Sequence, residues 1–105
     1  MILMNAEMFQ KATAPGNGPV LVEFMAPWCV YCRRLEPALE KLSQELGNRL
    51  AIGQINIDND PLLANAEQIE VVPTFVLYRD GQVLGSMVAP ESKARIQEFL
   101  QEHLN

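Results

Sequence analysis

"VLVEFMAPWCVYCRRLEPALEKLSQEL", residues 20–46, decides the architecture of this chain. Its first six residues, Val20 to Met25, are apolar except for Glu23, the pattern of a central strand covered on both faces. From Cys32 the period changes. Cys32, Leu35, Leu39, Leu42 and Leu46 recur at steps of three and four, while Arg33, Arg34, Glu36, Glu40, Lys41 and Glu45 take the other face. Pro37 removes one backbone donor from this helix and predicts a bend near residues 33–37. A strand therefore hands over to a helix at the point where the two cysteines, Cys29 and Cys32, stand three positions apart.

"LAIGQINI" (50–57) reads as a second, more mixed strand. With residues 20–25 and the helix between, it makes a βαβ unit with parallel strands. "TFVLYR" (74–79) and "QVLGSMV" (82–88) are strand-like runs joined by Asp80-Gly81, a short-hairpin dipeptide. A short strand over 2–4 and helices over about 5–13 and 61–68 are weaker readings, the last with Pro61 at its first turn. Ile96, Phe99, Leu100 and Leu104 form the apolar stripe of a final helix with Ser92 as its N-cap. "APGNGP" (14–19), "NDP" (59–61) and "APES" (89–92) punctuate the elements. The order predicts an α/β fold: one mixed sheet with helices on both faces.

The 105 residues, 49% of them hydrophobic, predict a single domain over 1–105, long enough to bury a core without staples. Two cysteines are too few for a disulfide-stapled scaffold. The net charge of −5 comes without a run of like charges or a basic stripe, which argues against a nucleic-acid partner. The start lacks a basic n-region, Glu7 and Lys11 interrupt any apolar stretch, and no window approaches the roughly 18 apolar residues of a membrane span. A cytoplasmic protein with no membrane partner is expected, and nothing in the chain demands more than a monomer.

The cysteine pair carries the chemistry. Cys29 falls at the start of a helix, where unpaired N–H groups and the macrodipole favour an anion. A thiolate is favoured there, and the thiolate is the nucleophile of disulfide exchange, so Cys29 is the candidate attacker. Cys32 lies one turn on, about 5–6 Å between Cβ atoms in a regular helix, against roughly 3.5–4.5 Å in a relaxed disulfide. A bridge closing so small a loop restrains the unfolded chain by only about 2 kcal/mol, which suits a switch better than a staple. Three other readings stand beside this one. The cysteines could be small buried hydrophobes. They could be half of a zinc site, which needs about four ligands, although no third cysteine exists and His103, the one histidine, lies far along the chain. They could share a metal cluster with a second chain. His103 itself reads as a surface residue in the last helical turn, where an imidazolium suits the dipole.

Glu23 is the second candidate. An acid inside "VLVEFM" loses hydration, which raises its pKa; the alternative is an acid at a strand edge that reaches water.

"VLVEFMAPWCVYC", the helix containing Pro37, "INIDNDP", "VVPTFVLYRDGQV" and the last amphipathic helix resemble the thioredoxin family, in order and at its spacing. The resemblance covers nearly the whole chain from about residue 19. It implies the thioredoxin fold, a nucleophilic Cys29, a resolving Cys32, and Pro73 in cis against the pair. It implies a shallow apolar groove made by Trp28, Val72, Pro73 and the 88–90 segment, with Val30, Tyr31 and Ala89 beside it. Glu23 stands where the family carries a buried acid, which implies a general base that deprotonates Cys32 through water. Pro73 has no N–H, which leaves the Val72 backbone to pair with an extended substrate by strand addition. Val71 and Val72 also admit plain core packing.

The chain departs from the family at several places. Val30-Tyr31 replaces Gly-Pro between the cysteines, and Tyr31 resembles the second residue of the glutaredoxin "CPYC" dipeptide. Gln54 stands in place of a lysine near the buried acid, Met25 replaces an aromatic, and Ala89 a groove glycine. The resemblance implies a protein-disulfide reductase: Cys29 attacks a target disulfide, Cys32 displaces the reduced target, and a reductase restores the dithiol. No bound cofactor or metal is expected, since the cysteine pair is the redox group. The alternatives are a disulfide isomerase or oxidase of the same fold, and a non-catalytic module that uses the groove as an adaptor.

Overall fold

A computed structural model describes residues 1–104. The elements run β1 (Ile2–Met4), α1 (Ala6–Thr13), β2 (Val20–Met25), α2 (Val30–Leu46), β3 (Ala51–Asn56), α3 (Pro61–Ala66), β4 (Thr74–Arg79), β5 (Gln82–Val88) and α4 (Lys93–Leu104). The five strands form one sheet in the order β1-β3-β2-β4-β5. β1, β3 and β2 are parallel, while β4 pairs antiparallel with β2 and β5 antiparallel with β4. This is the mixed sheet expected from the sequence, with the βαβ unit of β2, α2 and β3 at its centre.

Strand parity builds two cores. Leu21 on β2, Ile52 on β3, and Phe75 and Leu77 on β4 face α2 and α4, packing with Leu35, Leu39, Leu42, Ile96, Phe99 and Leu100. Val20, Val22, Phe24, Ile55, Val76 and Tyr78 face the other way and pack with Phe9 of α1 and Leu63 of α3. The run at 20–25 is apolar because both of its faces are covered. Glu23 shares the parity of Leu21, which puts it on the α2 side.

The local signals explain most boundaries. Asn5 caps α1 by accepting the Met8 N–H at 2.9 Å. Ser92 caps α4, its Oγ accepting the Arg95 N–H at 3.2 Å. Asp80 and Gly81 carry φ of 54° and 77°, the left-handed pair that a tight hairpin between β4 and β5 demands. α2 runs through Pro37 without a break, although the Arg33 carbonyl loses its usual donor there.

Two expectations need correction. The helix expected over 61–68 stops at Ala66, because Gln68 turns left-handed at φ 61° and its N–H bonds the Asn65 carbonyl at 3.0 Å. His103 is not a free surface residue. Its ring lies 4.4 Å from the Phe99 ring, centroid to centroid, and Nδ1 is 2.9 Å from the Phe99 carbonyl. A Cβ added at Gly85 of β5 would meet that ring at 2.5 Å, so the imidazole fills the space above the glycine.

Candidate redox site at the tip of α2

Cys29 and Cys32 are joined in a disulfide, with Cα atoms 5.2 Å apart. Cys29 is the N-cap of α2, and its Sγ accepts the backbone N–H of Cys32 at 3.1 Å. A sulfur thus takes the place of the usual capping oxygen and receives one of the helix's orphan donors. The same atom lies 3.8 Å from the Val72 carbonyl oxygen. A disulfide sulfur has no proton to donate there, so in this state the approach is a contact; a reduced thiol would find an acceptor.

The two sulfurs face different surroundings. Cys29 has Val72 and the cis Val72–Pro73 bond beside it. The Val72 N–H donates to no protein acceptor among the described residues. Cys32 lines a cavity of about 160 Å³ that it shares with Glu23, Met25, Arg33, Glu36 and Gln54, among others. A cavity of that size has room for water.

Glu23 is almost fully buried, at 1% exposure. The parallel register sets Glu23 opposite Gln54, and the Gln54 amide donates to Glu23 Oε1 at 2.9 Å. Oε2 has no partner among the described residues. Burial pushes the Glu23 carboxyl up to about 7; the Gln54 hydrogen bond pulls it down, and the Glu36 carboxylate pushes it up. The alternative for Glu23, an acid at a strand edge that reaches water, fails, since the side chain is buried on a strand interior to the sheet.

Around the sulfurs stands an exposed apolar rim. Trp28, Val30, Val71 and Val88 are each at least half exposed, and Tyr31 is partly so. Trp28 Nε1 donates to Asp58 Oδ2 at 3.1 Å, tying the indole to the segment after β3. The Tyr31 hydroxyl donates to the Pro90 carbonyl at 2.8 Å, and the Ala89 N–H donates to the Pro73 carbonyl at 2.9 Å. Ala89, at φ 44°, holds a left-handed backbone that glycine adopts more easily. The residues named from the sequence thus come together, and Asp58, Glu36 and Pro90 join them. Asp58 had a signal, since it follows the carboxyl end of a parallel strand beside the α2 tip. Glu36 had only its helical offset from Cys32, and Pro90 had none.

No group of three or more His, Cys, Asp or Glu among the described residues is arranged to hold a metal ion. No helix among them is long and apolar enough to cross a membrane.

A disulfide capping a helix, set against a cis-proline in a mixed α/β sheet, defines the class of thiol-disulfide oxidoreductases. The comparisons narrow the class. Residues 1–102 match the thioredoxin family model, and the chain belongs to the thioredoxin family. It is 37% identical to a thioredoxin of Bacillus subtilis (strain 168) over 104 residues, covering 99% of this chain and 100% of the relative. It is 33% identical to a thioredoxin of Buchnera aphidicola subsp. Acyrthosiphon pisum (strain APS) over 105 residues, 100% of this chain and 97% of that one. The fold matches that of the Malassezia sympodialis thioredoxin Mala s 13 with a TM-score of 0.89 at 23% identity, covering 100% of this chain and 91% of that one. The protein is a thiol-disulfide oxidoreductase with protein-disulfide reductase activity. Thioredoxins act through their own disulfide without a further cofactor, and the family implies disulfide-bearing protein substrates and a reductase partner.

Proposed function

We propose that Cys29 is the attacking sulfur and Cys32 the resolving one, in a single-domain, monomeric, cytoplasmic reductase of protein disulfides. The observation that carries this reading is the asymmetry of the pair: the Cys29 sulfur accepts a helix N–H, whereas Cys32 borders the cavity of Glu23. The Cys29 thiolate attacks one sulfur of a target disulfide. That bond breaks, a mixed disulfide forms, and the second target sulfur leaves as a thiolate. The Cys32 thiol then passes its proton through cavity water to the Glu23 carboxylate and attacks the Cys29 sulfur. The target departs with two electrons and the Cys29–Cys32 bond is restored. A reductase, acting on the oxidised protein, resets the pair.

In the same reading the groove of Trp28, Val30, Tyr31, Val72, cis-Pro73 and Ala89 receives an extended target segment. The unpaired Val72 N–H supports a backbone, strand-like mode of recognition.

The test is a pair of variants assayed on insulin with dithiothreitol as donor. Cys29→Ser should lose all turnover, and reduced Cys32→Ser, freed of dithiothreitol and mixed with insulin, should accumulate a mixed disulfide that mass spectrometry finds on Cys29. A Cys29→Ser variant that still turns over, or an adduct on Cys32 in the single-cysteine proteins, overturns the assignment. Equilibration with glutathione fixes the direction: a potential near about −270 mV marks a reductant, and one near about −180 mV an isomerase.

A further inference from the structure

Tyr31 sits between the cysteines, yet its hydroxyl serves neither sulfur. It donates to the Pro90 carbonyl at 2.8 Å, across 59 positions of sequence. Pro90 is buried and ends the segment that leaves β5. That segment is strained at Ala89, where a residue with a Cβ sits at φ 44°. Such a backbone persists only when its surroundings hold it. Two hydrogen bonds do so: Ala89 N–H to the Pro73 carbonyl at 2.9 Å, and Tyr31 to Pro90. The first bond ties the segment to the cis-proline loop, the second to the tip of α2. Val88 on the segment is 58% exposed and Val30 on the helix tip 50%, so the tether joins two apolar walls that both face outward.

We propose that the Tyr31 hydroxyl is a latch that sets the opening of the peptide groove by holding the 88–90 wall against the active-site helix. Tyr31 is on this account a positioning residue. It governs how well an extended protein segment seats beside Cys29, and it leaves the electron exchange to the sulfurs. A tyrosine suits the task because a ring with two side-chain torsions spans the gap at small entropic cost. The inference rests on the reading of the groove as the peptide site.

The consequence is a split between large and small substrates. A protein disulfide brings flanking backbone that must fit between the walls, whereas 5,5′-dithiobis(2-nitrobenzoate) needs only the sulfur. Tyr31→Phe keeps the ring and deletes one hydrogen bond. We expect its KM for insulin to rise roughly threefold to tenfold with kcat retained, the size of one lost neutral hydrogen bond. The fall in kcat/KM should be at least about threefold larger for insulin than for the small disulfide. Amide hydrogen exchange at Ala89, measured on the oxidised protein, should accelerate as the wall loosens. Unchanged KM for insulin together with unchanged Ala89 exchange overturns the latch, whatever happens to Tm. An equal loss on both substrates also overturns it, since Tyr31 would then act on the sulfur. If the parent itself shows no saturable reduction of insulin, the peptide-groove reading has failed; the Ala89 exchange arm needs no turnover and still judges the tether.

Discussion

Glu23 is the residue with the largest consequence for pH. Its carboxyl is raised from an ordinary 4.5 to about 7 by burial, so the native state holds a proton that the unfolded chain has released. Native stability from this group is fully present below about pH 4.5 and is lost as pH rises through about 7. The span, 7 minus 4.5, corresponds to about 3 kcal/mol. Glu23→Gln should flatten the stability profile between pH 5 and 8 and stabilise the protein at pH 8, with little effect near pH 4.5. Urea denaturation of both proteins across that range checks it, and parallel profiles would refute the assignment. A kinetic prediction follows from the base role. Resolution of the mixed disulfide in single-turnover mixing should quicken with an apparent pKa near 7, and Glu23→Gln should slow it by at least about a hundredfold while erasing that inflexion. The burial of this acid was legible from the valines and leucines around it. Its partner Gln54 was legible only as a departure from the family, because the hydrogen bond depends on the β2–β3 register.

Among the elements, β5 and α4 show how a glycine in a strand makes room for a side chain of a helix. Gly85 leaves the space that the His103 ring occupies, and that ring is tied to Phe99. Gly85→Ala would set a methyl 2.5 Å from the imidazole, so α4 must shift or the ring must leave. The expected cost is about 1–3 kcal/mol of unfolding free energy, read as a lower urea midpoint at unchanged m. A Gly85→Ala protein as stable as the parent would show that the helix end yields freely. The hairpin beside it was readable from Asp80-Gly81 alone, since few other dipeptides accept two left-handed residues. The skipped pairing at Leu84, between Tyr78↔Val83 and Leu77↔Gly85, was not. A bulge answers to the twist of the whole ribbon and leaves little trace in residue type. α3 was overextended for a related reason: its sequence continues in helix-compatible residues, and only the turn at Gln68 ends it.

For the molecule as a whole, the disulfide closes the smallest loop that a Cys-x-x-Cys spacing allows. Reduction should therefore lower global stability by only about 2 kcal/mol, measurable as the difference in urea midpoint with and without dithiothreitol. A loss several times larger would mean that the bridge holds the sheet together, contrary to a switch. The two large cores lie on opposite faces of the sheet, and the cysteines belong to neither; they pack in a small cluster with Ala26 at the carboxyl end of β2. That separation lets the redox group change state while the cores stay closed. What the order of residues settled was local: the central strand, the amphipathic helix after it, the cysteines at their junction, the caps and the tight turn. Each of these follows from the period of the apolar residues or from the backbone freedom of one or two positions. Which strand lies beside which, and therefore which side chains meet, was settled only when the sheet assembled in the order β1-β3-β2-β4-β5. Glu23 meets Gln54, Tyr31 reaches Pro90 and Trp28 finds Asp58 across 31, 59 and 30 positions. Such contacts exist because burying both faces of one sheet fixes its register, and no window of neighbouring residues contains that constraint.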